Sequence, residues 1–179
     1  MAIDPACSGT QPVVRANRSE EERMIRQQIA RLRNPLLKMP IEVVDSPRGR
    51  NKAKVAFLAS FGSANEFSRS IVETTRSLVE REYDVVLIRA SNGVSRSSWP
   101  AAEESIRPTI LYRSNNGYDF GSWAVGLHRF PELAMREHVL LLNDSIVGPF
   151  GPLDKLLGHF EKSTADVWGA AASLQFKPH

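Results

Sequence analysis

The stretch KVAFLASFGSANEFSRSIVETTRSLVEREYDVVLIRAS, residues 54–91, decides the fold class. Val55 to Phe61 is a short apolar run, which reads as a buried strand. Phe67, Ile71, Thr75, Leu78 and Val79 then mark one face of a helix, and Asp84 to Ser91 is a second strand. Strand, helix and strand in that order, with strands apolar on both faces, predict parallel pairing through a helical crossover. The pattern continues outward. Thr109 to Ser114 is a third strand; Trp123, Leu127 and Phe130 give a second helix; and His138 to Asn143 is a fourth strand. The last is nearly all apolar and is expected at the centre of the sheet. Pro152 suits the first turn of a third helix with Leu153, Leu156, Leu157 and Phe160 on its inner side, and Asp166 to Leu174 is expected to be a fifth strand. Between the second and third strands, Pro100 and Pro108 bracket a short helix near Ala101 to Ile106. The expectation is a three-layer α/β fold, a mostly parallel sheet with helices on both faces.

Residues 1–53 have a different character. Residues 1–18 are polar and aperiodic and are expected to be disordered. Ser19 to Glu22 has the form of a capping box for an amphipathic helix that Asn34-Pro35 ends, and residues 45–53 read as a linker. The expected organisation is therefore a tail, helix and linker over 1–53 and one α/β domain over 54–179. The segment 1–53 holds ten Lys and Arg against six Asp and Glu, a balance of +4, while 54–179 holds thirteen against fourteen. The basic charge lies in the tail, so a nucleic-acid partner is not expected, since such domains carry a basic patch on the folded face. A weak attraction of the tail to an anionic membrane surface remains open.

Other classes are excluded by composition. No run of 18 apolar residues is present, so no transmembrane helix is expected, and MAIDPACSGTQPVV lacks the layout of a secretory signal. The single cysteine, Cys7, can form neither an internal disulfide nor a Cys-rich metal site, which points to a reducing, cytoplasmic setting. The four histidines, at 128, 138, 159 and 179, have no metal-ligand spacing. There is no G-x-G-x-x-G, P-loop or G-x-S-x-G element.

In an open parallel sheet, ligands bind outside the carboxyl ends of the strands. Those ends here are Ser91-Asn92-Gly93, Asn115 to Gly121 (NNGYDFG) and Asn143-Asp144-Ser145. Each has two readings. Asp144 can hold a divalent cation that bridges two phosphates, or the three residues can form an Asx turn. Asp119 or Asn116 can cap a helix, or Asp119 can accept hydrogen bonds from hydroxyls over the close-approaching Gly117 and Gly121. Asn92 can touch a base or ribose, or Asn92-Gly93 can be a plain turn. Tyr118, Phe120 and Trp123 are expected to be mostly core, with Tyr118 the one to face a ligand.

Taken together, RSNNGYDFGSWAVGL, VLLLNDSIVGPFGPLDKLL and ADVWGAAAS resemble the rhamnan synthesis protein F family, glycosyltransferases of bacterial cell-surface polysaccharide assembly. The order of elements is also similar to the GT-A class of nucleotide-sugar transferases. The resemblance implies a GT-A fold, a nucleoside-diphosphate donor of the dTDP-rhamnose kind, and transfer to a growing or lipid-linked glycan at the inner face of the plasma membrane. It places Asn92, Asn115, Gly117, Tyr118, Asp119, Gly121, Asn143 and Ser145 on the donor, and Asp144 on a Mg²⁺ or Mn²⁺ ion. Where many GT-A enzymes carry D-x-D, this chain has Asn143-Asp144-Ser145, with one carboxylate. It also stops at His179, where family members continue, so the resemblance implies a donor half. Such a half can act in transfer, or can bind nucleotide sugar or dock a partner without turnover.

Overall fold

The computed structural model describes residues 41–43, 52–93, 96–145 and 151–169. The expected tail (1–18), the N-terminal helix and most of the linker lie outside these residues. Five strands form one mixed sheet: β1 (Glu42–Val43), β2 (Lys54–Phe61), β3 (Tyr83–Ser91), β4 (Thr109–Ser114) and β5 (His138–Asn143). Their order across the sheet is β1-β4-β3-β2-β5. Strands β2 to β5 are parallel to one another, while β1 runs antiparallel to β4. The sequence reading assigned β1 no element, because two residues are too few to show a period.

Among the described residues, three helices cover the sheet: α1 (Arg69–Glu80), α2 (Tyr118–Arg129) and α3 (Asp154–Lys162). Ser68 caps α1, its hydroxyl accepting from the Ile71 N–H at 3.4 Å. Alternation along the strands sorts the core. Leu58, Leu87 and Ile110 pack with Ile71, Val72 and Phe67 on the α1 face, and Trp99 joins them 5.7 Å from the Phe67 ring. Phe57, Val86, Ile88 and Leu111 pack on the opposite face, where Trp123, Leu127 and Phe130 of the α2 segment meet them. A Cβ on Gly126 would lie 2.7 Å from the Phe57 ring, so a glycine there lets α2 sit close to the sheet. The expected short helix is present as a 3₁₀ segment, Ala101–Ile106.

Two expectations are corrected. Strand β5 pairs only with β2 among the described residues and forms an edge, with Leu141 42% exposed. Its apolar composition reflects partly covered faces instead of a central position: Val139 packs toward α2, and Leu140 and Leu142 toward α3. Leu156, expected inside α3, is exposed; Leu157 is the buried member and Leu153 packs beside it. Residues 166–169 carry no strand, and the remainder of the expected fifth strand lies outside the described residues.

Helix α3 is fastened by charge as well as by Leu157. The Glu161 carboxylate accepts from Arg81 at 2.7 Å, Tyr83 Oη at 3.0 Å and Lys54 at 3.3 Å, and Arg81 also reaches Asp154 at 2.9 Å. Burial on its own would raise the Glu161 pKa, but the hydrogen bonds from Arg81, Tyr83 and Lys54 outweigh it and hold the carboxyl below its ordinary value. A depressed folded-state pKa contributes stability that is present above the unfolded-state value, about 4.3 for glutamate, and is lost as pH falls through the folded value. Glu161→Gln should therefore cost about 2 kcal/mol at pH 7, or about 4–8 °C in Tm, and should flatten the fall in Tm below about pH 4. Melting curves between pH 3 and pH 7 check this. An unchanged acid profile would show that the three contacts contribute nothing.

Candidate functional site at the carboxyl rim of the sheet

Parallel alignment puts the carboxyl ends of β2, β3, β4 and β5 on one edge, at Phe61, Ser91, Ser114 and Asn143. Strand β2 lies between β3, which follows it in the chain, and β5, which comes much later. The chain order thus reverses at β2, and such a switch point opens a crevice between diverging loops. The polar groups of the rim fall into three joined parts.

The first part lies at the switch point. The Asp144 N–H donates to the Ala59 carbonyl at 3.1 Å, which holds Asp144 beside the end of β2. Its carboxylate Oδ2 accepts from Ser60 Oγ at 2.7 Å, and Ser60 Oγ accepts from Arg89 Nη1 at 2.6 Å. Arg89 is 4% exposed. Burial lowers its pKa and the nearby Asp144 charge opposes that shift. The Phe67 ring lies 5.4 Å from the guanidinium carbon.

The second part is the loop from Asn115 to Gly121. It opens by extending the sheet, the Asn115 N–H donating to Ser91 O at 3.1 Å. Gly117 then turns with φ of 77° as the N-cap of α2, and Tyr118 follows with φ of 50°, a conformation that is strained for a residue with a bulky side chain. The buried Arg113 guanidinium holds this turn from inside. It donates to the Asn116 carbonyl, to Ser122 Oγ at 3.0 Å and to Tyr118 O at 3.5 Å. The far end of the loop ties to β5, because Asn143 Nδ2 donates to Asp119 Oδ2 at 2.7 Å and Trp123 Nε1 to Leu142 O at 2.8 Å. Tyr118 and Phe120 are each 78% exposed. For Phe120 this corrects the core expectation: it lies off the buried face of α2, which is made by Gly121, Ser122, Val125 and Gly126, and Trp123 meets its ring edge-on at 5.2 Å.

The third part is a cleft of about 580 Å³ on the β4 side, lined by Asn92 and Gly93 after β3, by Asn115 and Asn116 after β4, and by Glu42 and Arg96. Glu42 on β1 and Arg96 form an ion pair there. The structure thus brings Asn92 and Asn115 to one cleft, joins Asp119 to Asn143, and sets Asp144 on Ser60. Gly117, Tyr118 and Gly121 shape the loop between them, and Ser145 is exposed at the tip after β5. A wider hollow of about 1130 Å³ runs along α1 and the start of α3, lined by residues from Arg69 to Glu82, by Lys54 and by Gly151 to Asp154. Its charged groups include Arg76 and Arg81, which are ion-paired with Glu73, Glu103, Asp154 and Glu161.

Ser60, Arg89, Arg113 and Glu42 were not singled out from the sequence. A signal for two of them is present: DVVLIRAS and TILYRS each place an arginine near the carboxyl end of an apolar strand, where an unpaired charge would be costly. The described residues contain no group of three or more His, Cys, Asp or Glu placed to hold a metal ion. Asp144 presents one carboxylate. Mg²⁺-like ions take one or two carboxylates and complete their shell with phosphate oxygens and water, so this donor set fits a cation carried with a diphosphate and not one held by protein groups alone.

The fold and rim define an α/β protein whose polar loops gather at the carboxyl edge of a mixed sheet. The chain belongs to the rhamnan synthesis protein F family, whose profile matches residues 86–178, just over half of its length. It is similar to two Vibrio anguillarum proteins, each named Virulence protein VirA, with 28% identity over 142 residues. The match covers 78% of this chain and 44% of each relative, so the chain spans under half the length of the curated relatives it matches. No solved structure matches it. No helix among the described residues is long and apolar enough to cross a membrane.

Proposed function

We propose that this chain supplies the donor-binding part of a GT-A-type glycosyltransferase of rhamnan-type cell-surface polysaccharide synthesis. Its donor is a nucleoside-diphosphate sugar of the dTDP-rhamnose kind, and its acceptor is a growing or lipid-linked glycan at the inner face of the plasma membrane. The observation that carries this reading is the continuity of the rim. The Asn92–Asn115 cleft, the glycine loop and the Asp144 tip follow one another along the edge where an α/β sheet binds ligands. Membership of a rhamnan-synthesis family supports the substrate class.

In this reading the nucleoside occupies the cleft between Asn92 and Asn115, and the diphosphate runs over Gly117 toward Asp144. Gly117 has no side chain to cap α2, so the N–H groups of its first turn are open to an anion, and the helix dipole favours one there. Asp119, held by Asn143, offers its carboxylate to sugar hydroxyls. Asp144 is the residue that would hold a Mg²⁺ or Mn²⁺ ion, whose charge would stabilise the departing diphosphate. The acceptor hydroxyl gives up its proton to a base, its oxygen bonds to the anomeric carbon, and the bond to the diphosphate breaks with its electron pair leaving on the nucleotide. Exposed Tyr118 stands beside this path.

Calorimetric titration with dTDP and UDP, with and without Mn²⁺, tests the reading. Saturable binding that Mn²⁺ strengthens is expected. A folded sample giving no heat with either nucleotide at millimolar concentration contradicts it. Labelled donor mixed with an oligosaccharide acceptor separates transfer from the alternative that this part binds nucleotide sugar or docks a partner without turnover.

A further inference from the structure

Ser60, Arg89 and Tyr112 stand side by side on β2, β3 and β4, and Asp144 adjoins Ser60 beyond the end of β5. A guanidinium only donates hydrogen bonds. Ser60 Oγ must therefore accept from Arg89, and its own proton must point away from the arginine. That proton goes to Asp144 Oδ2 at 2.7 Å, so the chain has one direction: Arg89 to Ser60 to Asp144. At 2.6 and 2.7 Å both links are in the range of charge-assisted bonds. Space for the arginine is reserved. A Cβ on Gly62, where φ is 155°, would lie 2.6 Å from Arg89 Nη2. The Arg89 Nε is buried with no hydrogen-bond partner among the described residues. A buried cation held in this way is costly for the fold, and the group at the end of its chain is the one carboxylate of the Asn143-Asp144-Ser145 tip.

We infer that Arg89, acting through Ser60, is a positioning residue that fixes the orientation of the Asp144 carboxylate for a divalent cation bound with the donor diphosphate. This rests on the donor-site reading above and assigns work to two residues outside the strand-end motifs. One carboxylate oxygen is spent on Ser60, which leaves the other to face the diphosphate in a single rotamer. Outer partners of this kind tune metal affinity by about 10- to 100-fold.

The test compares nucleoside-diphosphate binding with and without Mn²⁺ in wild type and in Ser60→Ala. The Mn²⁺-dependent gain should fall by about tenfold in Ser60→Ala, and Ser60→Thr, which keeps the hydroxyl, should restore it. Leu157→Ala, which opens the core beneath α3 and touches none of these residues, should lower Tm and leave the Mn²⁺-dependent gain intact. If Ser60→Ala does not fold, Gly62→Ala, which crowds the guanidinium off the serine, should show the same loss. A wild-type Mn²⁺-dependent gain in Ser60→Ala, an equal loss in Leu157→Ala, or wild-type binding that Mn²⁺ does not strengthen overturns the inference and leaves the donor site standing. No binding of dTDP or UDP by the wild type removes both.

Discussion

Gly121→Ala is expected to lower stability by about 3 kcal/mol and to abolish nucleoside-diphosphate binding. The position is buried in the first turn of α2 and has no unusual φ, so the effect is one of space. A Cβ there would collide with the Asn116 carbonyl and would sit 3.0 and 3.1 Å from Arg113 Nη1 and Nη2. Neither neighbour can yield cheaply. The carbonyl is backbone, and the guanidinium is tied to Asn116, Ser122 and Tyr118. Relief therefore requires the loop to swing out, and Asp119 then loses Asn143. The expected fall in Tm is about 6–12 °C. Gly158→Ala is the contrast: it lies in α3 with open space around the added methyl, and should be neutral or stabilising by up to about 1 kcal/mol. If Gly121→Ala melted and bound like wild type, the packing account of the glycine loop would be wrong.

Asp144→Ala is expected to do two things at once. It removes the carboxylate proposed for the cation, so the Mn²⁺-dependent gain in nucleotide binding should vanish. It also takes away the acceptor at the end of the Arg89–Ser60 chain, at a cost of about 2 kcal/mol, the range for a hydrogen bond to a charged group. Asp144→Asn separates the effects, since its carbonyl can still accept from Ser60 while its charge is gone. It should keep most of the stability and lose the Mn²⁺ response. Thermal melts and titration of the two variants side by side decide this. A retained Mn²⁺ response in Asp144→Asn would count against a cation at this carboxylate.

Much of the fold was legible because buried parallel strands and amphipathic helices leave plain periodicities. The third and fourth strands, Thr109 to Ser114 and His138 to Asn143, have the expected bounds. What was illegible depends on distance in space. The apolar run of β5 reflects faces that are partly covered, but nothing in it shows which neighbours lie beside it. Strand β1 is too short to carry a pattern, yet it brings Glu42 to the cleft. At the rim, the short polar residues at strand ends drew attention because turns and ligands both use them. Arg89, Arg113 and Ser60 drew none, since a strand pattern hides a polar residue among apolar ones. Their importance follows from pairing across strands, Ser60 opposite Arg89, which only register reveals.

The central claim is that the carboxyl rim takes a nucleoside diphosphate, and the most direct measurement is a dTDP titration followed by backbone amide NMR shifts. The account predicts saturable shifts concentrated at Asn92, Asn115 to Asp119 and Asp144, extended around Asp144 when a diamagnetic Mg²⁺ ion is added. Shifts centred instead on Arg76, Arg81 and Glu82 in the hollow along α1 and the start of α3, or none at saturating nucleotide, would contradict it.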